Sequence, residues 1–293
     1  MDSLSSLQTF VRVADTRSFV DAGRVLGVSA AAIGKSIARL EEGMGVRLFH
    51  RSTRSVALTA EGQMFLLRCR RILAEAEAAR SELSERAGTA QGRLRISLPT
   101  VSDLVLPLLS DFASLYPEIV LDLDFTDRMV DVVDEGFDAV VRVGEPADSR
   151  LAARYLGGFN RHLVASPAYL REHGEPKTPA DLATHRCMHY RYPSSGRLEV
   201  WPLRYDGPEV RVAESLVCND IQSRICFATR GLGIAFVPDH SVRKALAQGD
   251  VVTLLEDYLE ATSKFYLLWP SGRHVLPKLR VFIDFISERM FPT

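Results

Sequence analysis

The sequence predicts an α+β protein of several domains, and three observations lead to that prediction. Two short helices separated by a glycine turn are expected between residues 18 and 42. A long helical stretch with heptad spacing follows, and beyond a small-residue linker at 87–92 strand-like and helix-like segments alternate. A chain of 293 residues, 46% of them hydrophobic, can bury two or three separate cores.

One helix near the N-terminus has a defined start and two different faces. Ser29 can cap it, because its hydroxyl can accept from backbone N–H groups two or three residues later. Ile33, Ile37 and Leu40 recur at i, i+4 and i+7 and form a stripe to be buried. A helix that enters the DNA major groove needs small residues near its N-terminus and cations behind them. The candidate DNA contacts are therefore Ser29, Ala31, Ala32, Lys35, Ser36 and Arg39.

A shorter helix precedes it and completes a helix-turn-helix at about residues 19–38. Ser18 and Asp21 predict a capping box in which Asp replaces Glu, and Gly27 can end this helix tightly before Ser29. The structural alternative is an ordinary αα-corner. The charge distribution favours DNA, since the first 58 residues hold eight basic and five acidic side chains whereas the whole chain has a net charge of −1.

Residues 46–59 predict a wing, which is a pair of short strands around a polar tip. Arg51 and Arg54 could reach phosphate groups, which position a DNA-binding module and supply much of its salt-dependent affinity. The alternative is a solvated hairpin, which is the less favoured interpretation beside a helix-turn-helix. Residues 1–59 are thus predicted to form a winged helix-turn-helix domain that binds double-stranded DNA.

The long helix is expected at residues 60–86, which gives a length of roughly 40 Å. Its apolar stripe has the heptad spacing of a helix–helix seam: Phe65, Cys69, Ile72, Ala76, Ala79 and Leu83. We interpret the stripe as a dimerisation surface, because DNA-binding proteins of this kind pair two half-sites by two-fold symmetry. The alternative is that it packs against the chain's own C-terminal domain.

Residues 93–293 predict an α/β domain in which helices cross over mostly parallel strands. Strands are expected at 94–98, 119–125, 138–143, 210–217, 234–237, 251–255 and 264–269, with another ending at 165. Helices are expected at 104–116, 130–135, 221–230, 239–248 and 275–289, and helices or turns at 166–172 and 179–182.

Many of these segments resemble those of the LysR-type transcriptional regulators. The N-terminal likeness is highly specific and lies in residues 7–14, 18–19, 26–29, 40–42, 46–51 and 58–62. It continues through residues 94–99, 116–118, 127–131, 166–170 and 231–235, so that it covers nearly the whole chain. Departures from the family pattern at Gly23, at Ala30 and at residues 33–35 all fall in the helix-turn-helix.

The resemblance implies a two-lobed effector-binding domain like a periplasmic binding protein. Lobe I would comprise about 93–160 and 265–293, and lobe II about 161–264, with crossings near 157–161 and 262–265. It also implies a sequence-specific regulator controlled by a small-molecule effector between the lobes. The expected assembly is a homodimer that forms a homotetramer on a promoter operator, with RNA polymerase as a candidate partner.

Effector contacts are expected where strand ends and helix N-termini face the cleft. Thr100 and Ser102 follow the first strand of lobe I, and Asn219 holds the matching place in lobe II. Their polar groups and the free backbone N–H groups nearby would suit a carboxylate or another anion. Arg142 could pair with an anionic group. The plainer alternatives are helix caps for the first three residues and a lobe-to-lobe salt bridge for Arg142.

The remaining patterns predict no catalytic residue, metal site or cofactor. His185, Cys187 and His189 would share one face of a strand, but we interpret them as structural. Cys218 and Cys226 would lie roughly 12 Å apart along a helix, too far to form a disulfide. No apolar run reaches the length of a membrane span, so a cytoplasmic, nucleoid-associated protein without a membrane partner is expected. A redox-sensing or protein-partner-controlled regulator of the same fold is the alternative function.

Overall fold

The computed structural model describes residues 4–51, 56–84, 90–100, 102–207, 210, 212–259, 262–271 and 275–291, and within these the side chains of residues 51, 77–84, 102 and 103 are not described. The chain divides into two compact units. The first comprises residues 1–89 and 130–137, and the second comprises residues 90–129 and 138–293. No helix within the described ranges is both long and apolar enough to cross a membrane.

The first unit begins with three helices and a hairpin and continues into a long helix. The elements are α1 (Leu4–Thr16), α2 (Phe19–Leu26), α3 (Ala30–Met44), β1 (Phe49–Arg51), β2 (Val56–Leu58) and α4 (Ala60–Ser84). Their shared core includes Phe10 of α1, Ile33 and Ile37 of α3, and Leu48 before the hairpin, all of which are buried. This is a winged helix-turn-helix, as the sequence predicts.

Helices α2 and α3 begin and end where their capping residues stand. Ser18 accepts from the Asp21 N–H, and Ser29 accepts from the Ala32 N–H at 3.2 Å. Gly27 ends α2 in the left-handed conformation, with φ of 68°, and Gly45 ends α3 with φ of 70°. Each cap satisfies backbone groups that a helix end leaves without a partner, so local sequence fixes the spacing of the two helices.

A buried carboxylate joins α3 to the hairpin. Oε1 of Glu41, near the end of α3, accepts from the backbone N–H of Leu48 at 2.9 Å and of Phe49 at 3.2 Å. Thr59 closes the other end of the hairpin, because its hydroxyl donates to the Arg47 carbonyl and accepts from the Gly62 N–H. The recognition helix, the hairpin and the start of α4 are therefore held together by polar contacts as well as by the core.

Two glycines of this unit should respond in opposite ways to alanine. A Cβ at Gly62 would lie 2.1 Å from the Leu48 carbonyl oxygen, whereas a Cβ at Gly34 would meet nothing within 4 Å. We expect Gly62→Ala to destabilise the protein by about 1–3 kcal/mol because backbone must shift. Gly34→Ala should stabilise it by about 0.5–1 kcal/mol, since alanine is the better helix former. Amide hydrogen exchange within the first unit measures both, and equal effects would contradict the close packing at Gly62.

The first part of the heptad stripe of α4 packs against the core of its own unit. Phe65 packs against Phe10 with ring centroids 5.1 Å apart, and Cys69 is fully buried in the same core. The prediction that Cys69 lies on a dimerisation seam is therefore corrected, because its surface is already covered within the chain, whereas Phe65 is only half-buried. Ile72 remains 47% exposed, and Ala76 is half-buried. Ala79 and Leu83 belong to α4, but their side chains lie outside the described residues.

The helix predicted at 130–135 is wrong, since this segment forms turns. The Asp131 carboxylate accepts from the N–H groups of Val133 and Asp134, so its side chain competes with helical backbone hydrogen bonds. Gly136 then adopts a φ of 71°, which ends the turn. Arg71 of α4 contacts Asp134 at 3.5 Å, and this contact lies within the first unit.

The second unit contains two five-stranded sheets. The elements are β3 (Gly92–Leu98), α5 (Ser102–Leu115), β4 (Ile119–Phe125), β5 (Ala139–Val143), β6 (Leu151–Phe159), β7 (Arg161–Ala165), α6 (Pro167–His173), β8 (Cys187–Tyr190), β9 (Glu214–Cys218), α7 (Ile221–Thr229), β10 (Ile234–Pro238), α8 (Asp239–Ala247), β11 (Val252–Leu254), β12 (Ser263–Pro270) and α9 (Pro277–Arg289). Short 3₁₀ turns form at Pro179–Ala183 and Glu256–Tyr258. Each sheet with its flanking helices forms one lobe.

The lobe I sheet has the order β4-β3-β5-β12-β6, and the lobe II sheet has the order β11-β7-β10-β8-β9. In lobe I, β3 pairs in parallel with β4 and β5, while β12 is antiparallel to both of its neighbours. In lobe II, β8 pairs in parallel with β9 and β10, while β7 is antiparallel to β10 and β11. The sheets are therefore mixed, and the prediction of mostly parallel strands is wrong.

The chain passes between the lobes at two adjacent places. Strand β6 ends in lobe I at Phe159, and β7 begins in lobe II at Arg161. The return lies between the 3₁₀ turn at Glu256–Tyr258 and the start of β12. The Thr262 hydroxyl donates to Asn160 Oδ1 at 3.2 Å, which joins the two crossings.

Candidate functional site

The solvent-facing side of α3 carries the residues predicted to contact DNA. Ala31, Ala32, Lys35 and Arg39 are exposed, and Ser36 is half-buried. Ile33, Ile37 and Leu40 lie on the opposite side in the core. Ser29 is exposed and uses its hydroxyl oxygen as the helix cap. The geometry thus presents small side chains at the N-terminal end of α3 and two cations farther along the same side.

The wing forms beside this helix as an antiparallel hairpin. Phe49 pairs with Leu58, His50 with Ala57, and Arg51 with Val56. Arg51 therefore ends β1 next to the tip, although its side chain is not described. Arg54 lies outside the described residues.

A loop after β4 connects lobe I to lobe II. Asp127 Oδ1 accepts from the Thr100 N–H at 3.0 Å, and its Oδ2 accepts from the Tyr190 hydroxyl. The Met129 N–H donates to Ser194 Oγ at 2.7 Å. Thr100 is thus linked to lobe II through Asp127, and this link uses the backbone N–H of Thr100 rather than its hydroxyl. Burial and the hydrogen bond to Asp127 together raise the pKa of the Tyr190 hydroxyl.

The other three predicted effector residues occupy different settings. Arg142 donates to Ser97 Oγ at 2.7 Å and to the Arg128 carbonyl at 3.3 Å, so these contacts lie within lobe I. Ser102 begins α5, but its side chain lies outside the described residues. Asn219 is exposed and is not the cap of α7; Asp220 is, because its carboxylate accepts from the Ser223 N–H.

Sequence reasoning missed a buried cluster of charges in lobe II. Glu199 lies between two arginines. Its Oε1 forms a salt bridge with Arg161 Nη1, and its Oε2 lies 3.4 Å from Arg224 Nη1. Arg224 also donates to the Phe236 carbonyl at 2.7 Å, and its guanidinium lies 5.0 Å from the centre of the Tyr190 ring. Burial lowers the pKa of Arg224, while Glu199 opposes that change. The sequence signal for it was an arginine directly before the apolar residues 225–228 of a helix.

The His185–His189 stretch is occupied by structural contacts. His185 Nδ1 lies 3.1 Å from the Tyr169 hydroxyl, the Cys187 thiol contacts the Leu182 carbonyl, and His189 Nε2 lies 3.2 Å from the Ala213 carbonyl. In the ranges that the structure describes, no cluster of three or more His, Cys, Asp or Glu side chains could hold a metal ion.

All four cysteines are free. Burial raises the pKa of the thiols of Cys69 and Cys187 to about 12, so both stay protonated near neutral pH. Cys226 is exposed on α7, and Cys218 is half-buried.

A winged helix-turn-helix with an exposed cationic recognition helix, in one chain with a two-lobed α/β domain, defines a DNA-binding regulator with a sensory domain. Comparison with family models agrees. The model for bacterial regulatory helix-turn-helix proteins of the lysR family matches residues 4–63, and the LysR substrate binding domain model matches residues 87–291. The chain belongs to the LysR family of transcriptional regulators.

Similar proteins align over nearly the full chain. The HTH-type transcriptional regulator CrgA of Neisseria meningitidis serogroup C is 34% identical over 290 residues, which are 97% of this chain and 96% of that protein. The solved structure of CrgA from N. meningitidis has a TM-score of 0.64 at 31% identity and covers 99% of both chains. The full-length structure of AphB, a Vibrio cholerae virulence activator, has a TM-score of 0.65 at 27% identity and covers 99% of this chain and 100% of that one.

Proposed function

We propose that the chain is a sequence-specific regulator of transcription that is controlled by a small-molecule effector bound between its two lobes. The observation that carries this proposal is the exposed face of α3, where alanines precede Lys35 and Arg39. Ala31 and Ala32 are small enough to approach base edges and can contact thymine methyl groups. The cations behind them and the arginines of the wing would contact phosphate groups.

The proposed assembly is a homodimer that forms a homotetramer, so that two-fold related α3 helices address two half-sites of a promoter operator. Exposed apolar residues on the first unit support the dimer. Met64 and Ile72 of α4 are 66% and 47% exposed and lie on one i, i+8 row of the helix. A pocket of about 550 Å³ opens beside them, and its lining includes Met44, Val46 and Met64. A second copy of α4 would remove this surface from water. RNA polymerase is a further proposed partner, and the proposed location is the cytoplasm.

The proposed effector site is the cleft around Thr100, Ser102, Arg142 and Asn219. The loop at 127–129 supports this location, because it contacts both Thr100 and lobe II. An effector that contacts both lobes would favour one arrangement of them by its differential contacts.

Loss of the Lys35 charge should weaken operator binding and reduce its dependence on salt. If Lys35 contacts phosphate, Lys35→Ala should lower the slope of log K against log salt by about one. Binding can be titrated by fluorescence anisotropy with duplexes that the wild-type protein selects from a random pool. Lys244→Ala is the matched control, because Lys244 is exposed on α8, far along the chain from the DNA-binding domain. An unchanged slope and affinity for Lys35→Ala would contradict the proposed docking of α3.

A redox-controlled regulator of the same fold is the second candidate function. The exposed thiol of Cys226 supports it, because an oxidant can reach this thiol more easily than the buried thiols of Cys69 and Cys187. Peroxide should then alter operator binding of the wild-type protein and not of Cys226→Ser. If peroxide leaves the operator affinity of both proteins unchanged, redox control is ruled out.

A further inference from the structure

We propose that the effector carries a carboxylate that binds to the arginine pair of lobe II, Arg161 and Arg224. This inference rests on the proposed function and names the chemical class of the effector. It also moves the anion contact away from Arg142, whose guanidinium contacts Ser97 and the Arg128 carbonyl.

The two positive charges of the arginine pair are not fully balanced by negatively charged neighbours. Arg224 is only 2% exposed and Arg161 has a side chain that is 21% exposed, yet Glu199 is the single carboxylate in contact with either of them among the described residues. The nearby Asp127 directs its two oxygens to Thr100 and Tyr190 instead. A buried cation without a full counter-charge is costly, and a bound anion would reduce that cost.

The hydrogen bonding of the pair is also incomplete. In the described part of the chain, the Nε atoms of Arg161 and Arg224 are buried and have no hydrogen-bond partner. A buried N–H that lost its water without gaining an acceptor costs about 1–3 kcal/mol. Two guanidinium groups with unused donors match the two oxygens of a carboxylate, which accepts fork-like hydrogen bonds from arginine.

The pair lies beside the junction of the two lobes. Arg161 is separated by one residue from the end of β6, where the chain leaves lobe I. Arg224 is one turn into α7, whose first residue, Ile221, packs against the apolar cores of both lobes. Arg224 also faces the ring of Tyr190, whose hydroxyl bonds to Asp127 of lobe I. An anion on the pair would therefore be in position to alter the contact between the lobes.

The surroundings of the pair favour a carboxylate on a planar apolar body. The Arg161 guanidinium lies 5.7 Å from the ring centre of Phe159 and 5.6 Å from that of Phe236. Tyr190 and Tyr192 pack edge to face with centroids 5.4 Å apart. Rings at this spacing supply the apolar contact area that small-ligand sites use, while charged groups fix orientation.

Benzoate is the probe, and benzamide is its neutral match. The full chain is titrated with each compound at constant ionic strength, and binding is measured by isothermal calorimetry and by the shift in unfolding temperature. We expect benzoate to bind and benzamide not to bind. Arg161→Gln and Arg224→Lys should weaken benzoate binding by about tenfold or more, as expected when a charge-assisted hydrogen bond is lost. Arg230→Gln should bind like the wild type, because Arg230 is exposed at the end of α7.

Glu199→Gln keeps the proposal testable if an arginine variant does not fold. Removal of the internal carboxylate leaves the pair without its counter-charge, so benzoate should bind about tenfold more tightly to this variant. A cluster that is only structural predicts a less stable protein with no gain in benzoate binding. That outcome, or equal binding of benzoate and benzamide, would overturn the inference.

Operator binding of every variant is measured alongside, without benzoate. A wild-type protein that binds operator but not benzoate would reject the carboxylate site and leave the proposed function intact. A protein that binds no duplex from the random pool would instead count against the proposed function itself.

Discussion

Glu41→Ala is expected to lower the free energy of unfolding of the DNA-binding domain by about 2–5 kcal/mol. The Glu41 carboxylate is buried and accepts from the N–H groups of Leu48 and Phe49. Alanine would leave both N–H groups in the interior without this acceptor, and each such group costs about 1–3 kcal/mol. Domains of this size have only about 5–15 kcal/mol of stability, so the loss is large.

The measurement must report on the first unit alone, because a multidomain chain does not unfold in one step. Both tryptophans, Trp201 and Trp269, lie in the second unit, so their fluorescence monitors that unit. Amide hydrogen exchange of Leu48 and Phe49 monitors the contact itself. We expect faster exchange at these amides and an unchanged fluorescence transition.

Glu42→Ala is the matched control, because Glu42 is the next residue and is exposed. It should change the stability little, whereas Glu41→Gln should have an intermediate effect because it keeps one acceptor oxygen without the charge. Similar stability of all three variants would show that the hairpin is held by apolar packing alone.

The DNA-binding domain could be predicted in detail because its determinants are local. Ser18 and Ser29 start their helices, Gly27 ends the first of them, and the apolar positions of α3 repeat with the helical period. Each signal lies within a few residues of the backbone groups that it satisfies. The side of α3 that faces solvent follows from the same period, so the candidate DNA contacts could be named before the fold was known.

The lobes were less predictable because their pairing is long-range. Strand β6 was missed, and it contains Gly157 and Gly158, lies at a sheet edge and lacks regular alternation. The direction of β12 depends on its neighbours, β5 and β6, which lie more than 100 residues earlier. Local sequence does not specify such a direction. This is why the sheets were predicted as mostly parallel when they are mixed.

The charged cluster of lobe II escaped prediction for the same reason. Glu199 is 38 residues from Arg161 and 25 from Arg224, so no motif spacing links the three side chains. Asn219 shows the opposite difficulty, since it stands directly before Asp220, and Asp220 rather than Asn219 caps α7. A sequence can indicate which strand end faces a cleft, but side-chain direction there depends on tertiary packing.

The heptad stripe of α4 shows that apolar spacing predicts which residues are buried but not whether they pack against the same chain or against a second copy. Phe65 and Cys69 have the spacing of an intermolecular seam but pack into the core of their own unit, where Cys69 is buried and Phe65 is half-buried. Met64 and Ile72, which lie on one i, i+8 row of the same helix, are exposed. The proposed dimer surface is therefore narrower than the full stripe, and it begins at the part of α4 that the DNA-binding domain does not cover.

Ile72→Asp is expected to dissociate the proposed dimer and abolish tight operator binding. In a symmetric pair of α4 helices the new carboxylate would be desolvated close to its symmetry mate, at a cost of several kcal/mol. Each half-site would then be bound by one DNA-binding domain alone, so affinity should fall by about 100-fold or more, the usual advantage of linking two binding modules. Sedimentation velocity measures the oligomer, and anisotropy with selected duplexes measures the affinity.

The control is Gln63→Asp, which places the same charge on the opposite side of α4, nine residues and about 900° of helical rotation away. Gln63 is exposed, so this variant should keep both the oligomer and the affinity. The monomer produced by Ile72→Asp should retain its fold, because Ile72 lies outside the buried core of its own unit. An intact dimer of Ile72→Asp with wild-type operator affinity would place the interface elsewhere on the protein and would reassign the exposed stripe of α4 to a contact within the chain.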